Sequence, residues 1–374
     1  MTPFLRHQLL PRVVFLPYWS ALTVFSLLSL LRCLFGGSVR ERRETKLMLE
    51  AGSRGWELLE YKELLASACE YLGDERVTKI IIDKGSSYPR QVYAAFNKHR
   101  PSHYLYDPRT GSENWAYGLL QAFAIGLLCV WYRITPIVLL TDLSIRSWRA
   151  QAAVVSARSG VVINYMARRA IAPIFPHSRL IGPHLMPLSA ASFEAISLRS
   201  NNNHNKPASV RFVGSLYEPR TTILNGIDQG LQERGHTLTI MGREFGSARC
   251  SDEEYWSRIQ DAAVVVTTTE QIVGPQSDWS WNTQLVYRFL EATACGVLLV
   301  APEVPGARRF FTPGEHFVAF ASVAEAVDRI AWYLEHPEER KRIALAGHRR
   351  AKALVETRFY WTSIDISLGR DSLT

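Results

Sequence analysis

The feature that most constrains the fold of this chain is an alternation of strand-like and helix-like patterns that occurs twice. The first half contains four short apolar runs typical of buried strands, at residues 79–83, 103–106, 134–141 and 161–165. After a polar, aperiodic stretch, the second half contains four more, at residues 210–213, 237–241, 262–267 and 297–301. Segments with helical patterning lie between the runs. This order predicts two α/β domains with mainly parallel sheets.

The 374 residues are enough for two domains that each bury a core. The predicted architecture has two Rossmann-like, doubly wound domains that face one another across a cleft. Ligands of such folds bind beyond the carboxyl ends of the strands. We predict five segments: a hydrophobic, membrane-associating segment at 1–36, a linker and helical lead-in at 37–75, one Rossmann-like domain at 76–200, a second at 208–357, and a C-terminal tail at 358–374.

The first segment contains an uncharged, apolar run at residues 13–31. Its length is close to the roughly 20 residues that a membrane-spanning helix needs. Basic residues are more frequent after the run than before it, which places the C-terminal bulk on the cytoplasmic face of the membrane. A cleaved signal peptide and a monotopic helix lying in the membrane surface are the alternatives. A second apolar run, at 116–132, is shorter and predicts a buried core helix, with membrane contact as the lesser alternative.

Composition restricts the possible partners. The net charge of +8 suits nucleic acid, anionic lipid or a phosphate-bearing ligand. No basic tract is interleaved with aromatic residues, so no nucleic-acid partner is expected. Five cysteines without a CxxC pair indicate neither a disulfide framework nor a zinc site and fit a reducing cytoplasm. Neither a GxGxxG fingerprint nor a Walker A motif occurs, and we expect no cofactor and no metal.

The most specific motif combines Arg288 and Glu291 at the start of a predicted helix. Residues three apart share a helix face, and a helix N-terminus attracts phosphate. An arginine can bind a diphosphate in bidentate fashion, and a carboxylate can accept hydrogen bonds from ribose hydroxyls. The alternative is an ordinary helical ion pair, worth only about 0.3–0.5 kcal/mol.

The segment RFLEATACG, residues 288–296, resembles the donor-site helix of GT-B glycosyltransferases of group 1 type. Residues 305–350 are similar in sequence to the spore-maturation-protein-like branch of that family. The resemblance implies that Glu291 contacts the donor ribose and that Arg288 belongs to the same site. Position 283 is threonine, where many retaining relatives carry a second glutamate, so retention or inversion stays open.

The segment VGSLYEPR, residues 213–220, resembles the first strand and loop of the same donor domain. There, Gly214 would allow the backbone to approach the donor, and Arg220 would face the diphosphate. Asn282, from the tryptophan-containing loop 276–282, and Gly296 complete the predicted donor-binding set.

The resemblance implies a metal-independent glycosyltransferase that moves a sugar from a nucleotide-diphosphate donor to a glycan or lipid-linked acceptor. The first domain would bind the acceptor. Asp142, at the carboxyl end of a predicted strand, is the candidate catalytic base, and Asp107 and His184 are weaker candidates. A degenerate, membrane-attached GT-B scaffold without activity and a sugar-nucleotide epimerase are the alternatives.

Overall fold

Two parallel β-sheets organise the protein. A computed structural model describes residues 16–18, 20–28, 45–52, 55–83, 87–112, 114–140, 152–153, 155, 160–163, 180–181, 184–201, 209–244, 249–269, 285–304, 306–369 and 372–374. The chain divides into two units. Unit 1 consists of Met1–His184 and Tyr360–Thr374, and unit 2 of Leu185–Phe359.

Unit 1 alternates strands and helices from its first described strand onward. Its described elements are β1 (Leu47–Gly52), α1 (Leu59–Leu72), β2 (Val77–Ile82), α2 (Tyr88–His99), β3 (His103–Tyr106), α3 (Trp115–Tyr132), β4 (Thr135–Leu140), β5 (Gly160–Ile163) and β6 (Leu180–Ile181).

These strands form one parallel sheet in the order β2-β1-β3-β4-β5-β6. Leu47 of β1 pairs with Val77 of β2 on one side and with His103 of β3 on the other. Strands 3, 4 and 5 lie close to where the sequence placed them. The helical segment expected between β4 and β5 falls mostly outside the described residues.

Strand β1 corrects the prediction that residues 37–75 are a linker and helical lead-in. Leu47, Met48 and Leu49 are fully buried, and β1 lies inside the sheet between two neighbours. The first domain therefore begins well before residue 76. The sequence pattern did not predict β1, because Glu50 places a charged residue in a short apolar run and charged residues are rarely buried.

The helical residues 16–18 and 20–28 pack on α3. The ring of Tyr18 stacks on Phe123 with centroids 3.9 Å apart, and Phe25 meets Trp131 edge to face. Ala122, Ile125 and Cys129 on α3 are buried, as expected for a core helix. Among the described residues, no helix combines the length and apolar character needed to cross a membrane.

Unit 2 contains the second alternating series. Its described elements are α4 (Ala190–Asn201), β7 (Val210–Leu216), α5 (Arg220–Gln232), β8 (Leu238–Glu244), α6 (Asp252–Gln260), β9 (Val264–Val266), α7 (Arg288–Ala294), β10 (Leu298–Pro302), β11 (Val318–Phe320), α8 (Val323–Glu335) and α9 (Pro337–Glu356).

The strands of unit 2 form a parallel sheet in the order β11-β10-β9-β7-β8. Val264 and Leu298 lie in its apolar core, which α5 and α8 cover with residues such as Leu224 and Ile330. Helix α8 begins with an N-cap: the Glu325 N–H donates to the Ser322 hydroxyl.

The predicted C-terminal tail at 358–374 is wrong in part. Helix α10 spans Phe359–Leu368. Its Trp361 is buried and donates through Nε1 to Ser67 of α1, and Asp365 accepts a hydrogen bond from Tyr71. From Tyr360 onward the chain therefore belongs to unit 1.

Candidate active site

The predicted donor residues converge at the carboxyl ends of β7 and β9. Beyond the end of β7 lies Arg220, the first residue of α5, and Arg288 is the first residue of α7. Buried threonines, including Thr268, follow β9 directly. In open parallel sheets, this edge is where ligands bind.

Arg288 and Glu291 form a buried ion pair. Arg288 Nη1 lies 3.0 Å from Glu291 Oε2, and Arg288 Nη2 donates to the Val213 carbonyl at 2.5 Å. The hydroxyl of Tyr255, on α6, donates to Glu291 Oε1 at 2.7 Å. Glu291 is only 2% exposed, so the exposed ion pair that the sequence left open does not describe this contact.

Arg220 is fixed by two hydrogen bonds from its guanidinium. Nε donates to Thr268 Oγ1 and Nη1 to the Ser215 carbonyl, both at 2.8 Å. The guanidinium carbon lies 4.2 Å from the centroid of the Tyr217 ring, within cation–π range. The side chain is thus held in one orientation without an acidic partner among these contacts.

The two guanidiniums influence one another. Burial lowers the pKa of Arg220, Tyr217 raises it, and the positive charge of Arg288 lowers it further. Burial also lowers the pKa of Arg288, but Glu291 and Tyr255 outweigh it, and the net shift is upward. Arg288 is thus paired with the buried carboxylate of Glu291, whereas Arg220 is held by neutral groups, and a bound anion would offset its positive charge.

Gly214 shapes the end of β7. Its φ is +155°, and a Cβ at this position would lie 3.1 Å from the Phe212 ring. Any larger residue would therefore be strained at this position and crowd that ring. The role that the resemblance gives to Gly214, a close approach of the backbone to the donor, stays a prediction.

The structure does not bring every predicted residue to this cluster. Gly296, with φ +62°, follows the other end of α7 and leads into the amino end of β10. Its N–H donates to the Thr293 carbonyl, so its local role is to terminate the helix. Asn282 and Asp142 lie outside the described residues and stay predictions.

Tyr255, Tyr217 and Thr268 belong to the cluster but were not selected from the sequence. The Tyr255–Glu291 contact joins residues 36 apart, and no spacing rule reports such a contact. The signal for Tyr217 was present, since it lies inside the VGSLYEPR segment three residues before Arg220.

Unit 1 holds a second buried polar cluster, at the ends of β1 and β3. The Tyr88 hydroxyl lies 2.7 and 2.8 Å from the two carboxylate oxygens of Glu50, and Tyr61 donates to Asp107 at 2.7 Å. Burial raises the pKa of Glu50 well above its ordinary range, hydrogen bonds from Tyr88 and Thr110 lower it, and the charge of Asp107 adds to the increase. His184, the other weaker candidate, is also buried.

Comparison with known proteins supports the donor-domain interpretation. Residues 223–358 match the family described as glycosyl transferase-like. Unit 2 therefore contains a segment that is similar to glycosyl transferases. The resemblance to group 1 GT-B glycosyltransferases is thereby confirmed, while the spore-maturation-protein-like branch stays a prediction. No curated protein matches the chain.

Solved structures agree on the fold. HepE from Anabaena, crystallised with UDP and glucose, is 13% identical, and the alignment covers 87% of this chain and 98% of HepE with a TM-score of 0.54. A glycosyltransferase from Rickettsia africae and the sucrose-phosphate synthase of Thermosynechococcus elongatus are 9% and 12% identical. Both alignments cover 87% of this chain and 98% of the other, with TM-scores of 0.53. The two parallel-sheet units therefore have the GT-B fold, and the cleft between them stays a prediction.

Proposed function

We propose that the protein transfers a sugar from a uridine-diphosphate donor and that the donor binds in unit 2, at Arg220, Arg288 and Glu291. The observation that carries the proposal is the presence of two buried guanidiniums at the carboxyl edge of the sheet, of which Arg288 is paired with Glu291 and Arg220 is held by neutral groups. Uridine is proposed as the base because HepE, which shares the fold, was crystallised with UDP.

The chemistry of transfer fits these charges. The bond between the anomeric carbon and the diphosphate oxygen breaks, a bond to an acceptor hydroxyl oxygen forms, and the hydroxyl proton passes to a base, for which Asp142 stays the predicted candidate. Negative charge grows on the departing diphosphate, and fixed cations stabilise it without reorganising. Arg220 and Arg288 are such cations. We therefore propose that they supply the charge that a metal ion supplies in other transferases.

The donor proposal is tested by the thermal unfolding of the full chain with UDP, GDP or ADP. A ligand at 100 times its Kd stabilises a protein by about 2.7 kcal/mol, which is easily measured. We expect UDP to stabilise the parent and to stabilise Glu291→Gln much less. Arg342→Lys is the control, because Arg342 pairs with Glu339 on the exposed face of α9.

Two results would contradict the donor proposal. A parent that unfolds cooperatively but is stabilised by none of the three diphosphates would favour the inactive scaffold. Equal stabilisation of the parent and of Glu291→Gln would place the nucleotide elsewhere in the chain. Stabilisation by GDP or ADP instead of UDP would keep the site and overturn the choice of base.

We propose further that the acceptor is a glycan or lipid-linked molecule and that residues 13–31 hold the protein on the cytoplasmic face of a membrane. Support comes from the apolar surface beside α3: Leu16 and Leu27 on the N-terminal helical residues, and Leu120 on α3, are 66%, 57% and 62% exposed. Flotation with vesicles containing anionic lipid tests the proposed membrane attachment. The full chain should float and Leu16→Ser/Leu27→Ser should float less; equal flotation would contradict the proposal.

A further inference from the structure

Tyr255 occupies a defined position beside the proposed ribose-binding carboxylate. It lies in the first turn of α6, where the Ser251 hydroxyl accepts from the Glu254 N–H and fixes the start of the helix. The Tyr255 ring meets Trp256 edge to face at 5.7 Å, and the Arg288 guanidinium carbon lies 5.1 Å from its centroid. The ring is therefore held on two sides, and its hydroxyl reaches Glu291 from a rigid element.

The consequence is a carboxylate that is held by a hydrogen bond on one oxygen and by an ion pair on the other. Tyr255 donates to Oε1 of Glu291, and Arg288 lies beside Oε2. Hydrogen bonds to a charged group are short and strong, and at a buried site they fix the plane of the carboxylate. If the phenol were removed, Glu291 would be free to turn toward Arg288 and form a bidentate pair.

We propose that Tyr255 is the positioning residue that orients Glu291 toward the ribose hydroxyls and so makes the site select ribonucleotides over 2′-deoxyribonucleotides. This inference rests on the proposed function, since it requires a nucleoside diphosphate at Glu291. Tyr255 acts through the carboxylate, whose orientation decides whether a hydroxyl at the 2′ position finds an acceptor.

A purely structural role for Tyr255 makes a different prediction. A loosened site would lose affinity for every diphosphate by the same factor. A positioning role alters the ratio of affinities for two ligands that differ only in the 2′-hydroxyl. That ratio is insensitive to a general loss of binding, and it is therefore the quantity to measure.

The test is calorimetric titration of the full chain with UDP and with 2′-deoxyuridine diphosphate. In the parent we expect UDP to bind about tenfold more tightly, the effect of one lost hydrogen bond to a charged group. In Tyr255→Phe, which keeps the ring and removes only the hydroxyl, the ratio should fall to about twofold or less. Tyr333→Phe on α8 is the matched control and should keep the ratio of the parent.

Glu291→Asp is the second variant, because it keeps the charge but withdraws the carboxylate from the Tyr255 hydroxyl. Its ratio of affinities for UDP and 2′-deoxyuridine diphosphate should fall as in Tyr255→Phe. It replaces Tyr255→Phe in the test if that variant does not fold. An unchanged ratio in either variant would overturn the inference and leave UDP binding, hence the proposed function, standing. A parent that binds neither diphosphate would overturn the uridine donor and the inference together.

Discussion

In both units, ionisable side chains collect where parallel strands end, but the two clusters differ in the sign of their charge. The cluster of unit 2 holds Arg220 and Arg288 with a single carboxylate. The cluster of unit 1 holds Glu50 and Asp107, and tyrosine hydroxyls contact both. Both lie in buried surroundings, where an uncompensated charge is costly.

The difference in sign decides how each cluster can reduce the free-energy cost of a buried charge. An arginine cannot release its proton in a protein, so the surplus positive charge of unit 2 is best compensated by an anionic ligand. A carboxylate can instead take up a proton, and the raised pKa of Glu50 shows that burial favours this. The charge of the unit 2 cluster thus favours a bound anion, whereas the unit 1 cluster can be stable without a ligand.

The largest expected effect comes from Arg288→Ala. This change leaves Glu291 buried without its cation, and breaking a buried ion pair typically costs about 3–5 kcal/mol. Denaturant unfolding measures the loss. Arg342→Ala is the matched control, because Arg342 and Glu339 are also three residues apart but exposed. We expect little change there, and equal effects in the two variants would contradict the buried pair.

The double variant Arg288→Met/Glu291→Leu separates stability from binding. Replacing both partners of a buried pair by apolar residues is often neutral or stabilising. We expect most of the lost stability to return while UDP no longer stabilises the protein. A double variant that still binds UDP would show that the pair is structural only.

The pH dependence of stability in Glu50→Gln tests the unit 1 cluster. Below the ordinary glutamate pKa of about 4.3, the folded and unfolded chains both hold the proton. Above it the unfolded chain releases the proton and the folded chain keeps it, so stability falls as pH rises until the raised pKa of Glu50 is passed. The slope reaches about 1.4 kcal/mol per pH unit for one proton.

Glutamine cannot ionise but resembles the protonated carboxyl in shape. Glu50→Gln should therefore remove this component of the pH dependence and be more stable than the parent at alkaline pH. Unfolding free energies of both proteins across a pH series measure it. Parallel curves for the two proteins would contradict a raised pKa at Glu50.

A smaller effect is expected from Tyr88→Phe and Tyr61→Phe. Each removes the hydroxyl that contacts a buried carboxyl in unit 1, at a cost of about 1–3 kcal/mol. Their Kd for UDP should equal that of the parent, in contrast to Tyr255→Phe. Weakened UDP binding in either variant would contradict the assignment of the donor site to unit 2.

The two units also differ in how much of their structure the sequence could predict. In unit 2 the runs around Val264 and Leu298 are uninterrupted and apolar, so strands were placed to within a few residues. Arg288 and Glu291 were selected by their spacing on one helix together with the resemblance of their segment. In unit 1, β1 was missed because Glu50 is charged, and only the folded structure shows which side chains contact it. Tyr255 was missed because its contact with Glu291 is made by tertiary packing, which no local periodicity encodes.

The smallest expected effect is that of Arg220→Lys, which decides whether the site needs a guanidinium or only a positive charge. Lysine keeps the positive charge, so a site that needs only charge would bind UDP almost as well. The Arg220 guanidinium, however, donates to Thr268 and Ser215 from two different nitrogens, which fixes the plane that it presents to a diphosphate. An ammonium on a flexible stem cannot reproduce that fork. We expect about tenfold weaker UDP binding, or roughly 1.4 kcal/mol, and some loss of stability from the hydrogen bonds that lysine cannot replace. Titration of this variant beside Arg342→Lys measures it, and equal Kd values would mean that Arg220 buttresses the strand end while Arg288 alone meets the anion.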